Sequence, residues 1–168
     1  QGVENLGTLD MPVIGVVHPG AATALEANQG GKIAVLGTRA TIESQAYPRA
    51  LRARGYSGEV IPIACPLFVP LAEEGWHQHA VTREVARSYL KPLSDTGVDT
   101  VILGCTHYPL LREVIAEVVE EICGQGVIIV DSAQAAARAI SHVLETKAIL
   151  ASGGAAIQKF YVTDAPSR

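Results

Sequence analysis

Four short runs of Val, Ile and Leu, spaced by longer amphipathic stretches, constrain this chain more than anything else in it: KIAVLG at Lys32–Gly37, EVIPI at Glu59–Ile63, VDTVILG at Val98–Gly104 and GVIIV at Gly126–Val130. Each is strand-length and nearly unbroken in its apolar character, as expected of strands buried on both faces. The stretches between them, about Thr38 or Thr41 to Arg54, His79–Asp95 and Pro109–Ile122, read as helices. Strand and helix in alternation predict βαβ units and an α/β fold with a parallel sheet covered on both faces. Pro12–His18 (PVIGVVH) reads as a further strand before a helix over Ala21–Asn28, and Lys159–Thr163 as a last strand. Ser132 is expected to cap a helix to about Thr146. Pro48 predicts a kink or late start in the second helix, Pro62 an edge position for its strand, and Pro92 a weak point after His79. Cys65–Glu74 reads as a short helix or loop, and Ser152–Ala156 as a loop.

The length of 168 residues suits one domain or a domain and a half, enough for a sizeable core. Charged residues make up 18% of the chain, below the roughly 25% of an average soluble domain. This argues against disorder. The formal charge is −4 without a basic cluster, so nucleic acid is not an expected partner. No apolar run approaches the ~20 residues of a membrane span, and the N-terminal QGVENLGTLD lacks a signal-peptide pattern. Three cysteines, Cys65, Cys105 and Cys123, form neither a disulfide framework nor a zinc-ligand spacing. The expectation is a reduced, cytoplasmic protein with no metal site.

Chemistry concentrates where VDTVILG runs into Cys105-Thr106-His107-Tyr108. Ligands of open parallel sheets sit beyond the carboxyl ends of the strands. A thiol there, ahead of a helix N-terminus and two residues from an imidazole, is in a setting that favours thiolate. A free cysteine that simply closes a strand fits the pattern as well. Cys65, before Pro66, also follows a strand and is expected in the core, while Cys123, at a helix C-terminus, is expected to be inert. Thr38 and Thr41 lie in another strand-to-helix turn, able to hold a carboxylate or merely to cap the helix. Glu73 is a proton-transfer candidate if buried and ordinary surface charge otherwise. His77, His79 and His142 read as surface residues, and His18 as the end of the first strand.

The strings PVIGVVHPGA (Pro12–Ala21), VLGTRATIESQAY (Val35–Tyr47), CPLFVPLAEEG (Cys65–Gly75) and LGCTHYPLL (Leu103–Leu111), in this order, resemble the glutamate racemases of the aspartate/glutamate racemase superfamily. The resemblance runs to FYVTDAPSR at Phe160–Arg168. It implies a cofactor-independent, cytoplasmic isomerase that makes D-glutamate for peptidoglycan, with two α/β domains around a substrate cleft and a homodimeric intact protein. Two cysteines would face opposite sides of the substrate Cα. By resemblance Cys105 matches the second of them, His107 the histidine that tunes it, and Glu73 a glutamate supporting proton transfer. Thr106 and His107 match a substrate-binding pair, and Thr38 and Thr41 resemble hydroxyls near the substrate carboxylates.

The family's ACNTA-like motif with the first cysteine, and its DSGVGG start, do not occur here. The expectation is therefore a fragment that does not racemise glutamate by itself. Residues 1–18 would belong to the first domain and crossover, 19–131 to the second domain with Cys105, and 132–168 to a segment returning toward the first domain. Other readings stay open: a one-thiol decarboxylase or another racemase of the same superfamily, or a non-catalytic binding module for an acidic metabolite.

Overall fold

The computed structural model describes residues 12–147, together with Leu150, Gly153 and Lys159. Its centre is a sheet of four parallel strands in the order β2-β1-β3-β4. These are β1 (Lys32–Gly37), β2 (Val60–Ala64), β3 (Val98–Leu103) and β4 (Ile128–Asp131). The apolar runs thus mark all four strands, and Pro62 does lie in an edge strand. Five consecutive buried residues in β1, and four in β3, reflect a sheet covered on both faces.

Three helices cover one face: α1 (Val17–Ala27), α3 (Ala46–Ala53) and α7 (Ser132–Thr146). Ala21, Ala24, Tyr47 and Leu51 pack there against Ile33, Val35, Ile102 and Val130. The opposite face carries α4 (Phe68–Glu73), α5 (Ala80–Leu90) and α6 (Arg112–Cys123), which bury Phe68, Leu90, Ile115 and Val118 against Ala34, Leu36, Val101 and Leu103. Burying one such Ile or Leu contributes about 1.5–3 kcal/mol, against roughly 0–1 for a surface ion pair. The two apolar layers, rather than the Arg83–Glu117 and Arg87–Glu121 pairs between α5 and α6, hold the sandwich together.

The Pro12–His18 strand does not form. Residues 12–16 are irregular and α1 begins at Val17, with Pro19 in its first turn, where a missing N–H costs nothing. Gly20, Ala21 and Ala24 present a small-residue helical face to the core, and that periodicity prevails over the β-branched run before it. His18 is accordingly an exposed helical residue, not a strand end. The helix expected through Arg54 is divided. Thr38 caps α2 (Arg39–Glu43), then Gln45 takes a left-handed φ of 54° and α3 starts afresh two residues before Pro48. The segment after His79 is helical to Leu90 and ends in a 3-10 turn at Lys91–Leu93, with Pro92 inside it. The cap of α7 is Asp131, not Ser132: its carboxylate accepts from Ala133 N and Gln134 N. The expected strand at Lys159–Thr163 and loop at Ser152–Ala156 lie outside the described residues, apart from Lys159 and Gly153.

Candidate active site

From β1 the chain moves outward to β2, and from β3 outward to β4, so connections diverge between the two central strands. A crevice at the carboxyl ends of β1 and β3 is the place where such sheets take ligands. Gly37, Thr38, Gly104 and Cys105 stand there. Gly104 N to Leu36 O at 2.8 Å ties the ends of β3 and β1, and Cys65 N to Gly37 O at 2.8 Å ties the end of β2 to β1.

Cys105 is half-buried in the turn leaving β3. The helix expected at Pro109 begins only at Arg112. Tyr108–Leu111 form a 3-10 turn, in which Tyr108 N donates to Cys105 O and Leu110 N to His107 O. A full helix N-terminus is therefore not set directly behind the thiol. What reaches it is His107, whose Nδ1 is 3.9 Å from Sγ, at the long end of a sulfur hydrogen bond. The other ring nitrogen, Nε2, lies 3.3 Å from Oε1 of Glu73, carried in by α4. Thiol, imidazole and carboxylate thus form one continuous line through which a proton can be handed on. Glu73 is exposed, with 58% of its side chain open, so it meets His107 from the solvent side rather than as a buried acid.

Thr38 and Thr41 face one another on the other bank, Oγ1 to Oγ1 at 3.1 Å, with Thr41 N donating to Thr38 Oγ1. The turn is the helix cap that the sequence allows, and the two hydroxyls form a polar pair beside it. Thr106 is exposed at the lip of the crevice. Cys65 is fully buried, and burial pushes its thiol up to about 12. Its carbonyl accepts from the buried Tyr108 hydroxyl at 2.8 Å, which ties the turn after β3 to the end of β2. Cys123 is half-buried at the end of α6, its thiol also raised by burial. His79 and His142 are exposed, and the half-buried His77 has Nε2 3.2 Å from Ala72 O. Among the described residues no group of three or more His, Cys, Asp or Glu side chains is placed to hold a metal ion, and no helix is long and apolar enough to cross a membrane.

The sequence family described as Asp/Glu/Hydantoin racemase matches residues 6–140. The chain belongs to that family. The glutamate racemase of Geobacter metallireducens is 44% identical over 161 residues, covering 95% of this chain and 58% of that protein. Among solved structures, a glutamate racemase isoform from Bacillus anthracis superposes with a TM-score of 0.80 at 38% identity, over 89% of this chain and 55% of its own. The Francisella tularensis glutamate racemase, solved in complex with D-glutamate, gives 0.83 at 31% identity, over 94% of this chain and 57% of that one. The chain thus spans a little over half the length of these racemase-family relatives.

Two residues at the crevice escape a reading of the sequence. Tyr47, 1% exposed, sits where α3 runs beneath the turn after β3, and its hydroxyl is 2.8 Å from Oγ of Ser132. Ser132 stands at the carboxyl end of β4, the same edge as Cys105, and that position was the available signal. Tyr47 offers none, being an aromatic residue inside a helix.

Proposed function

We propose that this chain carries one proton-transfer face of a cofactor-independent glutamate racemase that supplies D-glutamate for peptidoglycan. The single observation behind the reading is the Cys105–His107–Glu73 line at the switch point of the sheet. The identity to glutamate racemases across nearly the whole chain supports the same substrate.

In this reading the Cys105 thiolate removes the Cα proton of one enantiomer and becomes a thiol, leaving an enolate-like dianion. A thiol on the opposite face then gives up its proton to Cα and becomes a thiolate, which inverts the centre. In the other direction Cys105 is the donor. His107 exchanges the proton with Cys105, and Glu73 orients the imidazole from behind. Thr106, His107, Thr38 and Thr41 hold the substrate's polar groups, placing donors where negative charge develops. Neither Cys65 in the core nor Cys123 at the far end of α6 faces the crevice from the other side. The opposing base therefore belongs to the part of the family fold that this chain does not span. Residues 1–18, 19–131 and 132–168 then serve as crossover, second domain and return segment. A homodimer acting in the cytoplasm accompanies this reading.

The test is racemisation followed by circular dichroism of glutamate. The chain is joined to the upstream portion of the Geobacter relative, with Cys105→Ser as its control. Activity in both directions that vanishes with Cys105→Ser is expected, and the 168-residue chain alone should not racemise. A joined protein that stays active without Cys105 overturns the assignment.

A further inference from the structure

A recess of about 50 Å³ lies beside Cys105, lined by Val16, Tyr47, Gly104, Thr106, Ser132 and Ala133. Its wall is unusually close-fitting. A Cβ on Gly104 would stand 3.0 Å from Cε2 of Tyr47, and one on Gly20 would stand 2.7 Å from Oγ of Ser132 and 3.3 Å from Cε1 of Tyr47. Only glycine at both positions lets the tyrosine ring slide under the turn that presents Cys105 and meet Ser132 beyond it.

The two hydroxyls bring two O–H donors, and their mutual bond at 2.8 Å uses one. The other has no protein partner among the hydrogen bonds of the described residues. Whichever hydroxyl donates to the other, one proton is left on the wall of the recess that Cys105 shares. Burial pushes the Tyr47 phenol up; the hydrogen bond to Ser132 works against the rise and negative charge on Cys105 adds to it, so the phenol stays a neutral donor.

From this geometry we infer that Tyr47 and Ser132 are positioning residues for the reaction. Their paired hydroxyls hold one hydrogen-bond donor ready for negative charge in the recess, and the tyrosine ring fixes the turn that carries the thiol. The role rests on Cys105 being the proton-transfer thiol, and the pair acts through Cys105. Beside the thiol stand His107 on its own turn and, lining the shared recess, Tyr47 from α3 and Ser132 from α7; the Tyr108 hydroxyl is spent on Cys65 O. Among these described groups the Tyr47–Ser132 pair brings an unspent donor from the sheet's other face.

The test is the pH profile of iodoacetamide alkylation at Cys105 in the 168-residue chain, read by peptide mass mapping, for the parent, Tyr47→Phe, Ser132→Ala and the double variant. No substrate is needed, so the outcome is independent of racemase activity. In the double variant, loss of one net hydrogen bond to negative charge in the recess predicts a fall of about 3- to 10-fold in the alkylation rate at neutral pH, with the profile displaced to higher pH. Each single variant removes one hydroxyl but leaves the other's O–H free in the recess, so the full fall is expected only in the double variant, which removes both donors. Tyr47→Phe keeps the ring that fills the core, and Ser132→Ala removes one atom, so thermal unfolding identifies any variant that is merely destabilised. An unchanged profile in the folded double variant, or a full fall already reached in either folded single variant, overturns the inference. Normal alkylation shifts alongside an active Cys105→Ser joined enzyme would instead sink the racemase assignment and leave the pairing intact.

Discussion

Nε2 of His107 lies 3.3 Å from Oε1 of Glu73 while Nδ1 of the same ring faces the Cys105 thiol. The imidazole is oriented from behind by a carboxylate that comes from a different βα unit, α4 after β2, whereas thiol and imidazole come from the turn after β3. The site is therefore built across β1, the strand that lies between these two, and depends on the register of the sheet beneath it.

His107→Asn should lower turnover in the joined enzyme by about 10²–10⁴, the range for a removed acid–base partner. The loss should be larger in the direction in which Cys105 carries out the slower transfer. Glu73→Gln should cost less than this, because Glu73 touches the ring and not the thiol and is open to solvent. Initial rates from D- and from L-glutamate measure both. Equal and full activity of His107→Asn in both directions would remove His107 from the mechanism.

The three thiols should separate by reactivity. Cys105 is half-buried at the crevice, Cys123 is half-buried at a helix C-terminus, and Cys65 is fully enclosed with its thiol raised to about 12. The thiolate is the reactive species, so at neutral pH labelling should proceed at Cys105 first and at Cys65 last. Labelling of Cys65 ahead of Cys105 in the native chain would contradict the enclosed position of Cys65.

The sheet was legible because parallel strands buried on both faces read as short, nearly unbroken apolar runs: β1 is KIAVLG in the sequence and in the structure alike. PVIGVVH carries the same composition and is not a strand, since its fate is decided by the small face of Gly20, Ala21 and Ala24 packing on the sheet. Cys105 and His107 were legible as a pair two residues apart. That Glu73 joins them depends on α4 crossing toward the turn after β3, which no local spacing encodes. Tyr47 and Ser132 are 85 residues apart, and their bond exists only because α3 and α7 cover the same face.

Asp99, near the start of β3, anchors the opposite end of the sheet. Oδ1 accepts from Asn28 Nδ2 at 2.6 Å and Thr100 Oγ1 at 2.7 Å, and Oδ2 from Gln29 N at 2.9 Å and Gly31 N at 2.7 Å. Partial burial works to raise its pKa, but these hydrogen bonds outweigh it and hold the carboxyl below its ordinary value. Because the folded-state pKa is depressed, the stabilisation is present above the unfolded value and is lost as pH falls through the folded one. Asp99→Asn turns an amide NH2 toward donors on one side or the other, and should cost about 1–2 kcal/mol at neutral pH. Urea unfolding should show that gap at pH 7 and a shrinking one below about 4. A gap of constant size through acid pH would show that Asp99 acts by packing and not by charge.

Gly104→Ala tests how tightly the thiol-bearing turn is set. The added methyl would lie 2.9 Å from the carbonyl oxygen of Leu36 and 3.0 Å from the Tyr47 ring. The first neighbour is backbone inside β1 and receives the Gly104 N–H at 2.8 Å, so it cannot retreat without opening the β1–β3 ladder. The second is wedged against Gly20 and Ser132. Overpacking of this kind should destabilise the chain by about 1–3 kcal/mol. It should also move Cys105 relative to His107, so alkylation at Cys105 should change while that at Cys123, on the far side of the molecule's α6, should not. A Gly104→Ala chain with the parent's unfolding midpoint and the parent's Cys105 reactivity would mean that the turn yields freely, and that Tyr47 does not fix the thiol in place.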